Sequence, residues 1–353
     1  MKRIVVIGAN GQVASEVCLR LAAHPRVELV PVSRTRNGSA FLRSQGVPVC
    51  HSGLSRPEEA RSILAGADLV ANFALAGGAG RAVVDANNGI ISAISAAAPP
   101  NARLVFFSTL AANGTWEAGG RRTRNSYGDL KRANERWFHR EVSRRGQEGW
   151  SLRLGHVLGS YQNIGVQLTA ELTTGLVRVP DPDRASNVTH VEAICEALLS
   201  IAEGRAAPPM RYDLVNTPQW SWREIYSSLS PEGERTPHMQ AVGEEPAKNF
   251  DVKTVVFAMI KALNARVVLE RLLTALPVRF GAQAQADFMV NRAAGEIAAM
   301  SEAGTVSNSA SWWPALSVNP LRSARPTADV IASAEFAIAS GLSPWPADLK
   351  PQV

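Results

Sequence analysis

The chain reads as an α/β protein built on a doubly wound parallel sheet, and three observations predict this. Short β-rich runs alternate strictly with helical stretches from residue 3 to about 155. Strict alternation implies parallel strands joined by crossover helices on both faces. The first run also passes directly into a glycine turn and then a helix, the local pattern of a phosphate-cradling crossover. At 353 residues the chain exceeds a usual single domain, so a large α/β unit with an added lobe is expected.

The strands are expected at RIVVIGA (3–9), VELVPVS (27–33), VPVCHSG (47–53), DLVANFA (68–74), ARLVFFST (102–109) and WSLRLGHVL (150–158). Each is rich in β-branched or aromatic residues and ends in turn-forming ones. Between them, GQVASEVCLRLAAH (11–24), GSAFLRSQG (38–46), PEEARSILAGA (57–67), RAVVDANNGIISAISAAA (81–98) and the stretch containing Tyr127 and Lys131 carry apolar residues at helical spacing. After residue 160 the alternation becomes irregular: helix at 191–204, strand at 211–218, helix at 221–230. This divides the chain into a nucleotide-binding domain, 1–160, and a smaller, mostly helical C-terminal substrate lobe, 161–353, interleaved with the last strands of the sheet. Residues 251–276 predict a long amphipathic helix, with Val255, Val256, Met259, Ile260, Leu263 and Val267 on one stripe. Such a stripe packs on the lobe or a second subunit, or forms a lid over a greasy substrate. The segments 303–327 and 342–353 read as loops.

Composition narrows the function classes. Charged residues are 19% and hydrophobic ones 46%, as in an ordinary globular protein with a real core. No window approaches the roughly 20 uncharged apolar residues that span a bilayer. The N-terminal apolar run is too short for a signal peptide and ends in glycines. Cys18, Cys50 and Cys195 are scattered and form no framework, so a reducing, cytoplasmic setting is expected. The histidines show no ligand spacing, so no metal site is expected. The net charge of +6 is dispersed and suits a phosphorylated or sugar-like small molecule better than nucleic acid.

The turn Gly8-Ala-Asn10-Gly11-Gln12-Val13-Ala14 follows the first strand and opens the first helix. Gly8 permits the tight turn, Gly11 lets backbone approach a pyrophosphate, and Ala14 permits close helix–sheet contact. The helix N-terminus adds N–H donors and partial positive charge. The turn predicts a dinucleotide. An acid at the end of the second strand would hold the adenosine ribose hydroxyls. Here Ser33-Arg34-Thr35-Arg36 stands there instead, and guanidinium forks suit a 2′-phosphate. NADP(H) is therefore preferred, with NAD(H) possible.

Tyr127 and Lys131 lie four residues apart, on one helix face, with Glu135 a further turn on. A free phenol has a pKa near 10, and moving it to about 7 takes about 4 kcal/mol. A cation about 4 Å away at an effective dielectric of about 20 supplies that much. The pair predicts an acid/base tyrosine beside a lysine. The arginines at 121, 122 and 124 precede it in what reads as a loop, either solvated or meeting a phosphate. His156 and His190 read as structural, and the tryptophans of PQWSW (218–222) and SWWP (311–314) as packing in the second lobe.

These residues together resemble an extended short-chain dehydrogenase/reductase of the NAD-dependent epimerase/dehydratase family. The resemblance rests on the glycine turn, Tyr127-xxx-Lys131 with Glu135, Phe107-Ser108-Thr109 ending the fifth strand, LRLGHVLG (152–159) and VTHVEAICEAL (188–198), and covers residues 3 to about 230. The chain departs from the pattern at Asn113, where an aromatic is usual, at Gly53, in place of an acid, and at Glu192, beside the usual aspartate column. The resemblance implies a Rossmann fold, a possible homodimer and a nucleotide-sugar substrate. Tyr127 is then the acid/base, Lys131 the group that tunes it and bonds the nicotinamide ribose, and Thr109 or Ser108 the hydroxyl on the reacting oxygen, with Thr109 favoured. The cofactor-binding set is Gly8, Asn10, Gly11, Gln12, Val13, Ser33, Arg34, Arg36, Ala74, Tyr127 and Lys131. The reaction expected is NADPH-dependent reduction at a carbinol or ketone carbon. The alternatives are an epimerase or dehydratase that retains NAD, a hydroxysteroid-type dehydrogenase, or a cofactor-binding assembly or sensor subunit.

Overall fold

The structure is a computed structural model. It describes residues 1–36, 39–77, 81–113, 116–118, 121–123, 126–159, 162, 176–179, 182–183, 186–206, 208–217, 220–229, 238–241 and 327–330. The amphipathic stretch 251–276, Arg124, SWWP, the expected loop at 342–353 and all of the expected loop at 303–327 but Thr327, which begins a strand, lie outside these residues.

One eight-stranded sheet organises the fold, a Rossmann-type α/β arrangement. Its strands are β1 (Lys2–Ile7), β2 (Val27–Ser33), β3 (Cys50–His51), β4 (Leu69–Asn72), β5 (Arg103–Thr109), β8 (Gly149–Leu154), β12 (Arg211–Thr217) and β14 (Thr327–Val330). Their order is β14-β12-β8-β5-β4-β1-β2-β3, with the chain reversing direction on either side of β1. All adjacent pairs are parallel except β12 and β14, which run antiparallel. The edge strand β14 has no sequence signal of its own. The β1–β4 pair and the β1–β2 pair place Val5 opposite both Val70 and Val30.

Alternation along these strands makes two cores. Ile4, Val6, Leu69, Ala71, Val105, Phe107, Leu152 and Leu154 face one side, against α1 (Gln12–Ala22) and α6 (Val191–Glu203). Val5, Ile7, Val70, Leu104 and Phe106 face the other, against α3 (Pro57–Leu64), α4 (Arg81–Ala97) and α5 (Ser126–Arg144). Burying each such aliphatic side chain contributes about 1.5–3 kcal/mol, so the two-sided apolar strands commit the sheet to helices on both faces. Nearly every residue of α6 is buried. The short helices α2 (Ala40–Ser44) and α7 (Trp222–Leu229) complete the described helices.

Two sequence expectations change. The run 150–158 is not one strand: it breaks at Gly155 into β8 and β9 (His156–Leu158), and β9 leaves the sheet to pair with β11 (Val188–His190). A Cβ at Gly155 would overlap the carbonyl oxygen of Asn187, so the break is where another backbone crosses closely. Likewise the arginine stretch is not wholly a loop, because β7 (Arg121–Thr123) pairs antiparallel with β6 (Trp116–Ala118). The remaining strands, β10 (Leu176–Val179) and β13 (His238–Ala241), pair with each other in parallel.

Gly8 ends β1 with φ +78, and a Cβ there would sit 2.7 Å from both Cα and N of Ala74 at the end of β4. Left-handed backbone and overpacking both penalise a side chain at this point. Gly8→Ala is expected to destabilise the fold by about 1–3 kcal/mol, read as a lowered urea midpoint with unchanged slope. An unchanged midpoint contradicts the close approach of β1 and β4.

Candidate active site

Four of the sequence-predicted groups meet along the carboxyl edge of the parallel strands, the side on which doubly wound sheets bind ligands. The first is the glycine turn. The N–H groups of Gly8 and Ala9 both donate to the Val32 carbonyl at 3.0 Å, and Gly11 N–H donates to the Gly8 carbonyl at 2.9 Å. The buried Ser15 hydroxyl bonds the Ala9 and Gly11 carbonyls at 3.0 and 2.8 Å. The turn is thus fixed by backbone and one serine, leaving Gly11 and Gln12 exposed and Asn10 and Val13 partly so. Helix α1 has no side-chain cap at Gly11 and no acid in its first turn, so nothing competes with an incoming anion for its dipole. A pyrophosphate fits this turn.

The second group is the loop after β4. Ala74 N–H donates to Asn72 Oδ1 at 3.0 Å. Asn87 of α4, 4% exposed, clamps the same loop: its Oδ1 accepts from Ala76 N–H at 2.8 Å, and its Nδ2 donates to the carbonyls of Ala76 and Val83 at 3.2 and 2.7 Å. Sequence reasoning missed Asn87. Its signal is an amide on the buried stripe Val83–Asn87–Ile91, where a hydrocarbon is expected.

At the end of β2, Ser33 is buried and its hydroxyl donates to the Thr35 carbonyl at 3.1 Å, while Arg34 and Arg36 are exposed. The stem of Arg34 lies 3.8 Å from where a Cβ at Gly53 would be, an ordinary contact distance, so Gly53 sits beside Arg34. Two further basic groups converge here. Arg43 of α2 donates to the Arg36 carbonyl at 3.2 Å, and His51 of β3 bonds the Ser39 hydroxyl at 2.8 Å. Burial, then the charges of Arg43 and Arg36, lower the His51 pKa; burial and then Arg36 lower that of Arg43. Like charges gathered this way suit an anion of two charges, such as a phosphate monoester. Arg43 and His51 were not legible as partners, because only the β2–α2–β3 crossover brings them to Arg36.

The last group is on α5 and the end of β5. Lys131 is 5% exposed, and its Nζ donates to the Phe107 carbonyl at 2.9 Å and lies 5.1 Å from the centre of the Phe106 ring. Burial pulls its pKa down to about 8, against the opposing pull of the Glu135 carboxylate. Tyr127, 46% exposed, stands at the first turn of α5, and burial raises its phenol above the ordinary value. In this structure the ammonium is engaged with a backbone carbonyl, and burial alone sets the direction of the Tyr127 shift. Gly128 beside it packs onto the Ala111 carbonyl, with no space for a Cβ, which seats the head of α5 against the turn Leu110–Asn113 after β5. Thr109 is partly exposed and its Oγ1 accepts from Ala111 N–H at 3.3 Å. Ser108 is 5% exposed and, among the described residues, its hydroxyl has no partner. Strand alternation puts it on the α4–α5 face.

The other candidates make contacts within the scaffold. His190 caps α6, its Nδ1 accepting from Glu192 N–H. Glu192 in turn accepts from Arg20 of α1 at 2.7 Å. His156 packs edge-on to Trp222, with ring centroids 5.3 Å apart. Cys18 and Cys195 are buried free thiols. Among the described residues no His, Cys, Asp and Glu group forms a metal site, and no helix is long and apolar enough to cross a membrane.

No curated protein matches the chain. Among solved structures it is similar to UDP-N-acetylglucosamine 4-epimerase from Methanobrevibacter ruminantium M1, with a TM-score of 0.51 and 15% identity over 70% of this chain and 87% of that one. It is similar to dTDP-glucose 4,6-dehydratase from Bacillus anthracis, with a TM-score of 0.51 and 14% identity over 73% and 91%. The enzyme WbmH of Bordetella bronchiseptica, solved with NAD+, gives a TM-score of 0.50 and 17% identity over 72% and 91%. At these identities the likeness is one of fold. The model of the NAD dependent epimerase/dehydratase family matches residues 4–178, a span that includes the glycine turn, Thr109, Tyr127 and Lys131, and over that span the chain matches that family.

Proposed function

We propose that the chain is an NADP(H)-dependent oxidoreductase that reduces a ketone to a carbinol on a nucleotide-sugar-like substrate. One observation carries this reading: Tyr127, Lys131 and Thr109 stand on the same sheet edge as a glycine turn open to a dinucleotide. When bound, the reduced nicotinamide supplies a hydride to the carbonyl carbon. Tyr127 donates its phenolic proton to the carbonyl oxygen, which its raised pKa keeps available at neutral pH. Thr109 presents a hydroxyl to the same oxygen. Lys131, held by the Phe107 carbonyl, presents its remaining N–H donors toward the nicotinamide ribose and stabilises the phenolate left behind. Arg34, Arg36, Arg43 and His51 favour the 2′-phosphate that distinguishes NADP(H).

A second reading, an epimerase or dehydratase that retains NAD and recycles its hydride, is favoured by what the similar structures are: two act as their names state on nucleotide sugars, and one was solved with NAD+. Mixing the protein with NADPH and nucleotide-linked ketosugars separates the two. Steady loss of reduced-cofactor absorbance is expected. Conversion of sugar with no net absorbance change and no added cofactor supports the retained-NAD enzyme instead.

Tyr127→Phe is expected to lower turnover at least about 100-fold while leaving the cofactor dissociation constant nearly unchanged; full activity in this variant removes the tyrosine from the chemistry. Arg36→Ala is expected to weaken NADPH binding about 10- to 100-fold, the range of a charge-assisted bond, without affecting NADH. Equal losses for both cofactors contradict a 2′-phosphate site.

A further inference from the structure

Behind Lys131, on the face of the sheet that α5 covers, lies a cluster of charges that the proposed chemistry does not use. Glu135 sits one turn beyond Lys131 and is 1% exposed. Both of its oxygens are held by Arg153 of β8, which donates from Nε to Oε1 and from Nη2 to Oε2, each at 2.7 Å. Arg153 is 4% exposed, and its Nη1 lies 3.9 Å from Oδ1 of Asp213 on β12, also 4% exposed. Arg211 reaches the rim of the cluster, 3.8 Å from Glu135. One turn further along α5, His139 bonds the Ser151 hydroxyl at 2.8 Å. Alternation explains the site: Ser151 and Arg153 point to the α5 face, while Trp150, Leu152 and Leu154 fill the opposite core.

Such a cluster is costly unless it is fully paired, and an apolar core of similar volume is often as stable. Its position suggests another role. A bidentate fork fixes the carboxylate of Glu135 in place and orientation, and that carboxylate shares a helix face with the buried ammonium of Lys131. We propose that Glu135, held by Arg153, is a positioning residue that keeps Lys131 charged in a site dry enough to neutralise it. The proposal rests on the reading of Tyr127 and Lys131 as the proton-transfer pair, but its test does not.

Among the described residues, helix α5 carries Tyr127, Asp129, Arg132, Glu135 and His139 near Lys131 in sequence, with Asp129 and Arg132 forming their own 3.8 Å pair; β8 carries Arg153, and β12 carries Arg211 and Asp213. From β5 the groups that meet the ammonium are the Phe107 carbonyl and the Phe106 ring, neither of which titrates. Of the nearby acids, Glu135 is the carboxylate whose charge opposes the burial that lowers the Lys131 pKa. The sign follows: removing a neighbouring anion leaves burial unopposed and makes the ammonium more acidic.

The test is NMR of the full chain labelled with 13C at lysine Cε, with the Lys131 resonance assigned by its loss in Lys131→Arg. The ammonium is expected to titrate near 8 in the parent protein. Glu135→Gln is expected to lower that midpoint by at least about 1 unit, the smallest effect typical of a close opposite charge. Asp213→Asn, which spares the clamp, is expected to lower it by less. An unmoved Lys131 titration in a folded Glu135→Gln, or a larger shift in Asp213→Asn than in Glu135→Gln, overturns the proposal, because a merely structural cluster changes the melting temperature and not this midpoint. Turnover separates this test from the reading it rests on. If the NMR midpoint moves and the alkaline limb of kcat/KM moves with it, both stand. If the NMR midpoint moves alone, Glu135 keeps its role and Lys131 loses its catalytic one.

Discussion

The fold of the active edge depends on a single contact, the hydrogen bond from the Lys131 ammonium to the Phe107 carbonyl. Burying an ammonium is expensive, so the helix that carries it is held wherever the compensating groups are. Those groups are the Phe107 carbonyl, the face of Phe106 and the carboxylate of Glu135. Together they seat α5 on β5, and the contact of Gly128 with Ala111 sets how closely its first turn approaches. Tyr127 then stands at the sheet edge because the residues on either side of it leave α5 no other place.

Charge is sorted along this edge. The glycine turn offers N–H groups and a helix terminus without an acid, the end of β2 gathers Arg36, Arg43 and His51, and the end of β5 presents Thr109 beside α5. Apart from Asp129 in the first turn of α5, the acids of the described site sit elsewhere. Glu135 and Asp213 are buried on the α5 face with Arg153, and Glu16 and Glu192 share Arg20 between α1 and α6. Donors therefore line the glycine turn and the end of β2, while the buried carboxylates neutralise the arginines that hold the scaffold together. The Glu16 cluster also reaches beyond the sheet: Gln162 donates to both the Gln12 carbonyl and Glu16, tying the segment after β9 to the first helix of the glycine turn.

Much of the sheet was legible in the sequence because its strands are buried on both faces. Runs such as RIVVI and LVFF leave no alternative to a covered parallel sheet, and each is bounded by a glycine or a polar turn. The glycine turn was legible for the same local reason, since its meaning depends only on the strand before it and the helix after it. What escaped were features made by pairing of distant segments. Gly155 breaks a continuous β-like run because Asn187 crosses it, and nothing in LRLGHVL announces that crossing. The edge strand Thr327–Val330 has no pattern of its own and exists through β12. Asn87 and Arg43 look like ordinary helix residues until the loop after β4 and the end of β2 are placed beside them. The Glu135–Arg153 clamp was half visible, as a residue two turns beyond Tyr127, but its partner is 18 positions away on a strand.

A crystal structure with NADPH bound tests the central claim most directly. The expected result has the pyrophosphate against the N-terminus of α1, the 2′-phosphate among Arg34, Arg36 and Arg43, and the nicotinamide ribose on Lys131 Nζ with the ring facing Tyr127. A cofactor lying away from the glycine turn, or a nicotinamide ring out of reach of the tyrosine, contradicts it.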